Sequence, residues 1–574
     1  MTTDAEVDTE TPAPRTFLQA LAIYLERRSL IMLALGFSAG LPNLLIFDTL
    51  SAWLRDAGLS LEVIGFFSLA TLAYSLKFIW APLVDRTSIP FLTGILGHRR
   101  SWMLAMQGLV IVGLWLIAGT DPADDLGRLA MLAVMVGFTA ATQDIVIDAW
   151  RIEAVDESRQ GAMAAAYQWG YRIAMIVAGA VPLILAQAYS WNFSYAVMAA
   201  LMGVGVAAVL LAPREKAHTI RPIPVADVPS RPAIEVVEWL ARLAIIGVAA
   251  LIVGSGLTGK PDLLLSVLGS PAALAPLGEA WTAKETGVFI QFAAVAAGLL
   301  LLVAACWPLP GFRTRPGAYL AGSFGAPLMD FFRRFAGVAA LILALICLYR
   351  VSDFVLNIMN PFYLDLGFTK TEIAEVRKVF GVIASVVGVF FGGLAIARLG
   401  LMRSLLIGAF AGPLSNLVFA WLATQGPDLG GLFIAIGIDN VASGFAGTCL
   451  IAYMSSLTSA GFTATQYALF SSLYALPGKL IASQSGRIVE GAARDADGGG
   501  VFAGLKGLFA GLPEGALVEG ATKTGVTPAA LGAGYVTFFF YSTLIGAVAI
   551  VLAFMVARRT RKAEAAEDQA RQTT

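Results

Sequence analysis

The chain has 574 residues, of which 58% are hydrophobic and only 14% charged, against roughly 25% charged in soluble domains. That excludes a water-soluble fold and puts the chain in a lipid bilayer. The formal net charge is zero and Lys and Arg are scattered through short connections, so no basic face is available to neutralise a nucleic-acid backbone.

In chain order, residues 1–29 read as a short cytoplasmic tail: Met1 to Arg15 are acidic and rich in Thr and Pro, without the basic and apolar regions of a cleaved leader. Apolar runs of about 20 residues, the length that crosses a hydrocarbon core, then recur along the chain. Six lie near 30 to 53, 63 to 84, 102 to 119, 130 to 149, 161 to 186 and 193 to 212, an N-terminal bundle over 30–212. A linker, 213–334, holds two further candidate spans near 238 to 257 and 286 to 307. Six more lie near 335 to 357, 373 to 397, 402 to 424, 430 to 453, 466 to 489 and 531 to 556. They form a C-terminal bundle over 335–556 that carries a long insertion, 491–530, before a tail at 557–574. The expected class is an all-α membrane protein of about 14 spans.

Cytoplasmic loops retain positive charge during insertion, and the loops sort on that basis. Arg27, Arg28, Arg86, Arg99, Arg100, Arg151, Arg214, Lys216, Arg221, Arg313, Arg315, Arg333, Arg334, Arg398, Arg403 and the C-terminal cluster Arg558 to Lys562 mark one side as cytoplasmic, with both termini. The opposite loops hold little beyond Arg55, Arg128, Lys260, Lys284 and Lys370, and Asp121, Asp124 and Asp125 crowd one of them. Cys306, Cys347 and Cys449 have no CxxC spacing, and His98 and His218 stand alone, so no disulfide framework, metal site or cofactor is expected. An enzyme would need clustered nucleophiles, metal ligands or an acidic pair at an aqueous boundary, and only Asp144 and Asp148 approach that.

The two sixes repeat each other at offsets of about 305 to 310, as in transporters built from two related bundles around a midplane site. Asp56-Ala-Gly58-Leu-Ser60-Leu-Glu62 matches Asp365-Leu-Gly367-Phe-Thr369-Lys-Thr-Glu372, where Thr369 and Glu372 spell a capping box. After the second span comes Ala81-Pro-Leu83-Val-Asp85-Arg86, closed by Gly97-His-Arg99-Arg100. Its counterpart is Gly393-Leu-Ala-Ile-Ala397-Arg398-Leu-Gly400-Leu-Met-Arg403, with Ala397 in place of the aspartate. The pattern resembles the loop motif of the major facilitator superfamily. Asp85 at a helix end can pair with arginines and with a facing helix start, a charge clasp that closes the cytoplasmic side, with Arg86 as gating partner. The plainer reading is a topology signal alone.

An ionisable group near the bilayer centre costs about 2.5 to 3.5 kcal/mol on insertion scales, so such groups face a partner or a watered path. Lys77 lies about 12 Å inward of Asp85, and Arg172 and Lys479 lie at comparable depth in the fifth and eleventh bundle spans. These cations suit an anionic substrate, with Trp80, Trp169, Tyr171, Tyr74 and Tyr474 as stacking faces for sugar rings; ordinary core packing is the competing reading for each aromatic. Asp144 and Asp148 share one face of the fourth span at i and i+4, the arrangement from which proton coupling is built. Asp148 can equally serve as a structural partner of Arg151 or Arg86. Asp48 and Asp353 stand at the repeat offset with a gating role, unless Arg350 simply pairs with Asp353 at i, i+3.

Several stretches resemble the AmpG family of muropeptide permeases. They are Gly36-Phe-Ser-Ala-Gly40-Leu41-Pro42, Ile64-Gly65-Phe66-Phe67-Ser68, Lys77-Phe-x-Trp80-x-Pro82-Leu83-x-Asp85-Arg86, Gln143-Asp-Ile-Val-x-Asp148-Ala-Trp150 and Gly170-Tyr171-Arg172. Leu348-Tyr349-Arg350-x-x-Asp353, Asp439-Asn440 and Phe462-Thr-Ala-Thr465-Gln466 continue the match. The resemblance implies a major facilitator fold and proton-driven import of N-acetylglucosaminyl-anhydromuramyl peptides across the bacterial inner membrane, in peptidoglycan recycling and β-lactamase induction. It adds Gln143 and Asn440 to the substrate-binding candidates. The partners are then anhydromuropeptide, protons and the bilayer, for a monomer. The sequence departs from the family at Arg350 and Asp439, where Lys and Glu are more usual, at Ala174, and in the insertion. Competing functions are transport of another anion such as acetyl-coenzyme A, and a muropeptide sensor that moves nothing.

Overall fold

The computed structural model describes residues 22–58, 72–122, 124–214, 228–269, 271–283, 286–308, 313–482 and 484–572. The N-terminal tail up to residue 21, the start of the second span with Ser60, Glu62 and the Ile64–Ser68 stretch, and Lys216, His218, Arg221 and Lys284 lie outside them. Among the described residues there are no strands, and eleven helices are long and apolar enough to cross a membrane.

Helix α1 runs Arg27–Leu44 and continues through a π turn, Leu45–Thr49, into Leu50–Asp56. The described part of α2 is Leu72–Leu76, a 3-10 turn Lys77–Ile79, and Ala81–Arg86. Then follow α3 (His98–Ala118), α4 (Leu126–Glu153), α5 (Glu157–Ala188) and α6 (Trp191–Leu211). The linker contributes α7 (Pro232–Thr258) and α8 (Gly287–Cys306). The second half holds α9 (Ala339–Leu366), α10 (Thr371–Leu399), α11 (Leu401–Gln425), α12 (Leu429–Ser456), α13 (Thr463–Ala482) and α14, which starts at Pro528 and runs to Gln572. The three predicted spans outside the set of eleven are α1, α2 and α13.

Local chemistry sets these boundaries. Asp125, Ser190 and Asp428 cap α4, α6 and α12 by accepting backbone N–H bonds from the first turn. The capping box closes as read from the sequence: Thr369 N donates to Glu372 Oε2 at 2.8 Å and Glu372 N to Thr369 Oγ1 at 3.2 Å. Gly97 and Gly400 precede α3 and α11 with φ of +96° and +83°, a region that favours glycine, so the loop motif turns the chain alike in both halves. The predicted span 466–489 ends earlier, at Ala482; the polar run Gln484-Ser485-Gly486 has no place in hydrocarbon, and Ser485–Asp497 forms a separate amphipathic helix.

α5 lies along α1 because glycine lets the two backbones touch. A Cβ on Gly170 would fall 2.6 Å from Phe37 N, and one on Gly40 would fall 2.7 Å from the Tyr171 carbonyl oxygen. The halves meet along two seams, α5 against α10 and α12, and α2 and α4 against α13. Across the first, Tyr24 donates to Phe390 O at 3.1 Å and Gln168 to Thr448 Oγ1 at 2.7 Å. α7 and α8 pack on each other through Gly256 and Gly298; a Cβ on Gly298 would lie 2.6 Å from Val253 Cγ2.

The insertion is ordered and anchored on its own half. Phe509, Leu517 and Ala521 are buried in the core that includes Phe362, Leu366 and Phe539. Tyr535 donates to Asp365 Oδ2 at 2.6 Å, and Leu517 N donates to the Asp365 carbonyl at 2.7 Å.

Candidate functional site

Two charged groups lie between the halves. The first is built on α2 and α4. Lys77, in the 3-10 turn of α2, places Nζ 3.8 Å from Asp144 Oδ2 and 3.9 Å from Asp148 Oδ2, so one buried ammonium is shared by the acidic pair. Tyr167 of α5 donates to Asp144 Oδ1 at 3.4 Å. Arg151 pairs with Asp148 at 3.2 Å, then crosses the seam: Nη1 donates to Ser455 Oγ at 2.9 Å and the guanidinium lies 5.1 Å from the centre of the Tyr467 ring.

At the end of α2, Asp85 accepts from Arg99 at 2.8 Å and, across the same seam, from Thr465 N at 2.8 Å and Thr465 Oγ1 at 2.7 Å, both at the start of α13. Arg99 also pairs with Glu153 at 2.7 Å. A carboxylate at a helix N-terminus is stabilised by the unpaired amides there. Arg86 donates to Gly322 O of the linker at 2.8 Å, and its guanidinium lies 6.0 Å from the centre of the Phe462 ring, just before α13.

The second group surrounds a cavity of about 460 Å³, within the range of roughly 300 to 1,000 Å³ typical of small-ligand sites. Arg172 reaches it from α5, and the other lining residues come from the second half, among them Arg350, Asp353, Arg377, Asp439, Asn440 and Tyr474. Arg350 closes on Asp353 at 2.9 and 2.5 Å and on Ser443 at 2.6 Å, which is the local i, i+3 pair. Asn440 donates to its own helix at Ile436 O, 3.0 Å away. Among the described residues Arg172 has no hydrogen-bond or ion-pair partner. The side chain of Lys479 lies outside the described residues.

Residues 31–275 match the family described as the Major Facilitator Superfamily. A putative transporter AmpG 4 from Rickettsia felis is 29% identical over 453 residues, 78% of this chain and 87% of that protein. The anhydromuropeptide permease of Escherichia coli K12 is 31% identical over 458 residues, 79% of this chain and 73% of that protein. The chain belongs to the AmpG family of major facilitator permeases. The fold agrees: a proton:xylose symporter, XylE, superposes with a TM-score of 0.52 at 10% identity, covering 93% of this chain and 96% of that one.

Within this AmpG-family transporter, the predicted site residues divide into three sets. Lys77, Asp144 and Asp148 are brought together, and Arg172, Arg350, Asp353 and Asn440 share the cavity. The expected convergence of Lys77 with Arg172 is not what the structure has: Lys77 is held by the acidic pair, and Arg172 faces the second half. Tyr171 accepts from Asn43 at 2.6 Å beside this boundary. Trp169, Trp80 and Gln143 lie in packed surroundings outside the cavity lining. Trp169 is sandwiched in the α5–α10 seam, 5.4 Å from Tyr24 and 5.9 Å from Phe390, with its indole N–H on Val386 O. Trp80 packs on Phe138 and donates to Thr142 Oγ1 at 3.0 Å. Gln143 is fully buried inside the first bundle, donating to Ser38 Oγ at 2.9 Å. Asp48 sits exposed in the π turn of α1, outside the cavity. Arg377 was not among the predicted site residues, and Asp439 entered the sequence reading through the family match beside Asn440. Arg377 sits on the π turn Ala374–Phe380, a geometry frequent at functional sites, within the charged stretch Glu372 to Lys378 that reads in the sequence as an ordinary helix start.

Proposed function

We propose that the protein imports anhydromuropeptides from periplasm to cytoplasm, driven by protons, in the bacterial inner membrane with both termini inside, as part of peptidoglycan recycling and, through it, β-lactamase induction. The observation that carries the reading is the unpartnered Arg172 guanidinium at a cavity between the halves, in a chain 31% identical to an anhydromuropeptide permease. A buried cation without a counterion is expensive in a bilayer and is suited to a carboxylate delivered by substrate.

Asp144 is the proton-coupling group in this reading. Its protonation removes one of the two carboxylates holding Lys77, and the ammonium shifts toward Asp148. Asp148 also holds Arg151, which reaches Ser455 and Tyr467 in the second half. The charge state of Asp144 is thereby linked to a contact that must change when the halves rock. The Asp85 clasp closes the cytoplasmic end, and opening requires Thr465 to leave it.

Proteoliposomes carrying Asp144→Asn test this. Accumulation of labelled anhydromuropeptide under an imposed pH gradient should be lost, while exchange at equal pH persists, since exchange moves no net protons. Normal accumulation by the variant places the proton site elsewhere, and no uptake by the unmodified protein refutes the substrate.

A further inference from the structure

The cavity is lined by three arginines and two aspartates whose states differ. Arg350 and Asp353 satisfy each other, with Ser443 taking a further guanidinium bond. Arg377 is exposed and hydrogen-bonded to Asn360. Arg172 and Asp439 remain. The one hydrogen bond to Asp439 among the described residues comes from the neutral Ser415 hydroxyl, 3.1 Å from Oδ1, and no cation lies within ion-pair distance of it.

An unpaired carboxylate and an unpaired guanidinium in one cavity inside a bilayer are each costly, and packing alone would replace both by apolar groups. Keeping both signs, instead of a uniformly cationic wall, matches a ligand that carries both signs. We infer that Asp439 and Arg172 form a two-charge subsite for a zwitterionic part of the ligand, Asp439 taking an ammonium group and Arg172 a carboxylate. This rests on the muropeptide reading and deepens it: the cavity selects stem peptides whose end residue has a free amine beside a carboxylate, as a diamino acid does. The rings of Tyr363 and Tyr474 and the side chain of Met359 line the same cavity and suit the aliphatic stretch between such groups.

The test is exchange at equal pH on both sides, which is insensitive to any role of Asp439 in carrying protons. Two probes are compared: a labelled anhydromuropeptide whose stem ends in a free-amine diamino acid, and the same molecule with that amine acetylated. The unmodified protein should favour the free amine by about tenfold or more. Asp439→Asn should lose that preference mainly by exchanging the free-amine probe more slowly, and Asp439→Glu should recover part of it. Arg172→Gln should slow both probes alike. Circular dichroism and monodispersity in detergent establish that each variant is folded. A preference that survives intact in Asp439→Asn overturns the inference while leaving the substrate class standing. Failure of the unmodified protein to exchange either probe overturns the substrate class and the inference with it.

Discussion

Lys77 is the residue on which most depends, because it is the ammonium that Asp144 and Asp148 share in a site closed to solvent. Removing one member of a buried charge group leaves the others uncompensated, at a cost of about 3 to 5 kcal/mol. Lys77→Met should therefore lower the melting temperature in detergent markedly, and Lys77→Met combined with Asp144→Asn should regain much of the loss. If the double variant melts no higher than the single one, the two groups are not coupled in the folded protein. These three residues were legible in the sequence, since a lysine and an i, i+4 acidic pair inside apolar runs demand partners. The places of Trp80, Trp169 and Gln143 outside the cavity lining were not legible for a matching reason: an aromatic or amide in a span has a stated depth but no stated face, and the face is set by neighbours such as Tyr24, Phe138 and Ser38. Arg377 shows the converse: it stands among Glu372, Glu375 and Lys378 at a helix start, where charge is ordinary and nothing marks it for the cavity.

Among the elements, the linker helix Ala326–Arg334 docks against α13 and continues from the π turn that holds Arg86. Asp330 on it accepts from Ser459 at 2.7 Å and Gln466 at 3.1 Å, at the loop that begins α13, and pairs with Arg334 at 3.0 Å. Burial alone would raise the Asp330 carboxyl, but the Ser459 and Gln466 hydrogen bonds and the Arg334 guanidinium outweigh it and hold it below the usual carboxylate range. A group depressed on docking contributes above its undocked pKa and loses that contribution as pH falls through the depressed value. Protease cleavage at this linker should accelerate below about pH 4, and Asp330→Asn should be cleaved faster than the unmodified protein at pH 7 with a flatter pH response. Equal cleavage of both at pH 7 would show that the ion pair does not hold the helix. Nothing in the sequence singled this helix out; its role follows from what it touches, Gln466 through Pro327, and from the π turn just before it, Ala321–Gly325, whose Gly322 accepts from Arg86.

For the whole molecule, the all-α membrane architecture of the major facilitator type was readable because hydrophobic length and the loop motif are one-dimensional signals, whereas the helix end at Ala482 and the docking of the insertion depend on contacts distant in sequence. The accessory pair touches the bundles lightly and itself closely, and the short helices Asp262–Leu268 and Pro271–Thr282 fill its turn. In the proposed orientation, with both termini inside, that turn faces the periplasm, so Glu279→Cys on a background with Cys306, Cys347 and Cys449 replaced should react with an impermeant maleimide added outside spheroplasts. Reaction only after lysis would invert the pair. The insertion has a different consequence. Because Phe509, Leu517 and the Asp365 contacts bind it to the second half alone, it must ride with that half as a rigid flag whenever the two halves pivot. A dye on its exposed Val501 and another on the exposed Tyr189 at the end of α5 would turn each transport cycle into a change of distance, giving a clock for single molecules that needs no substrate label.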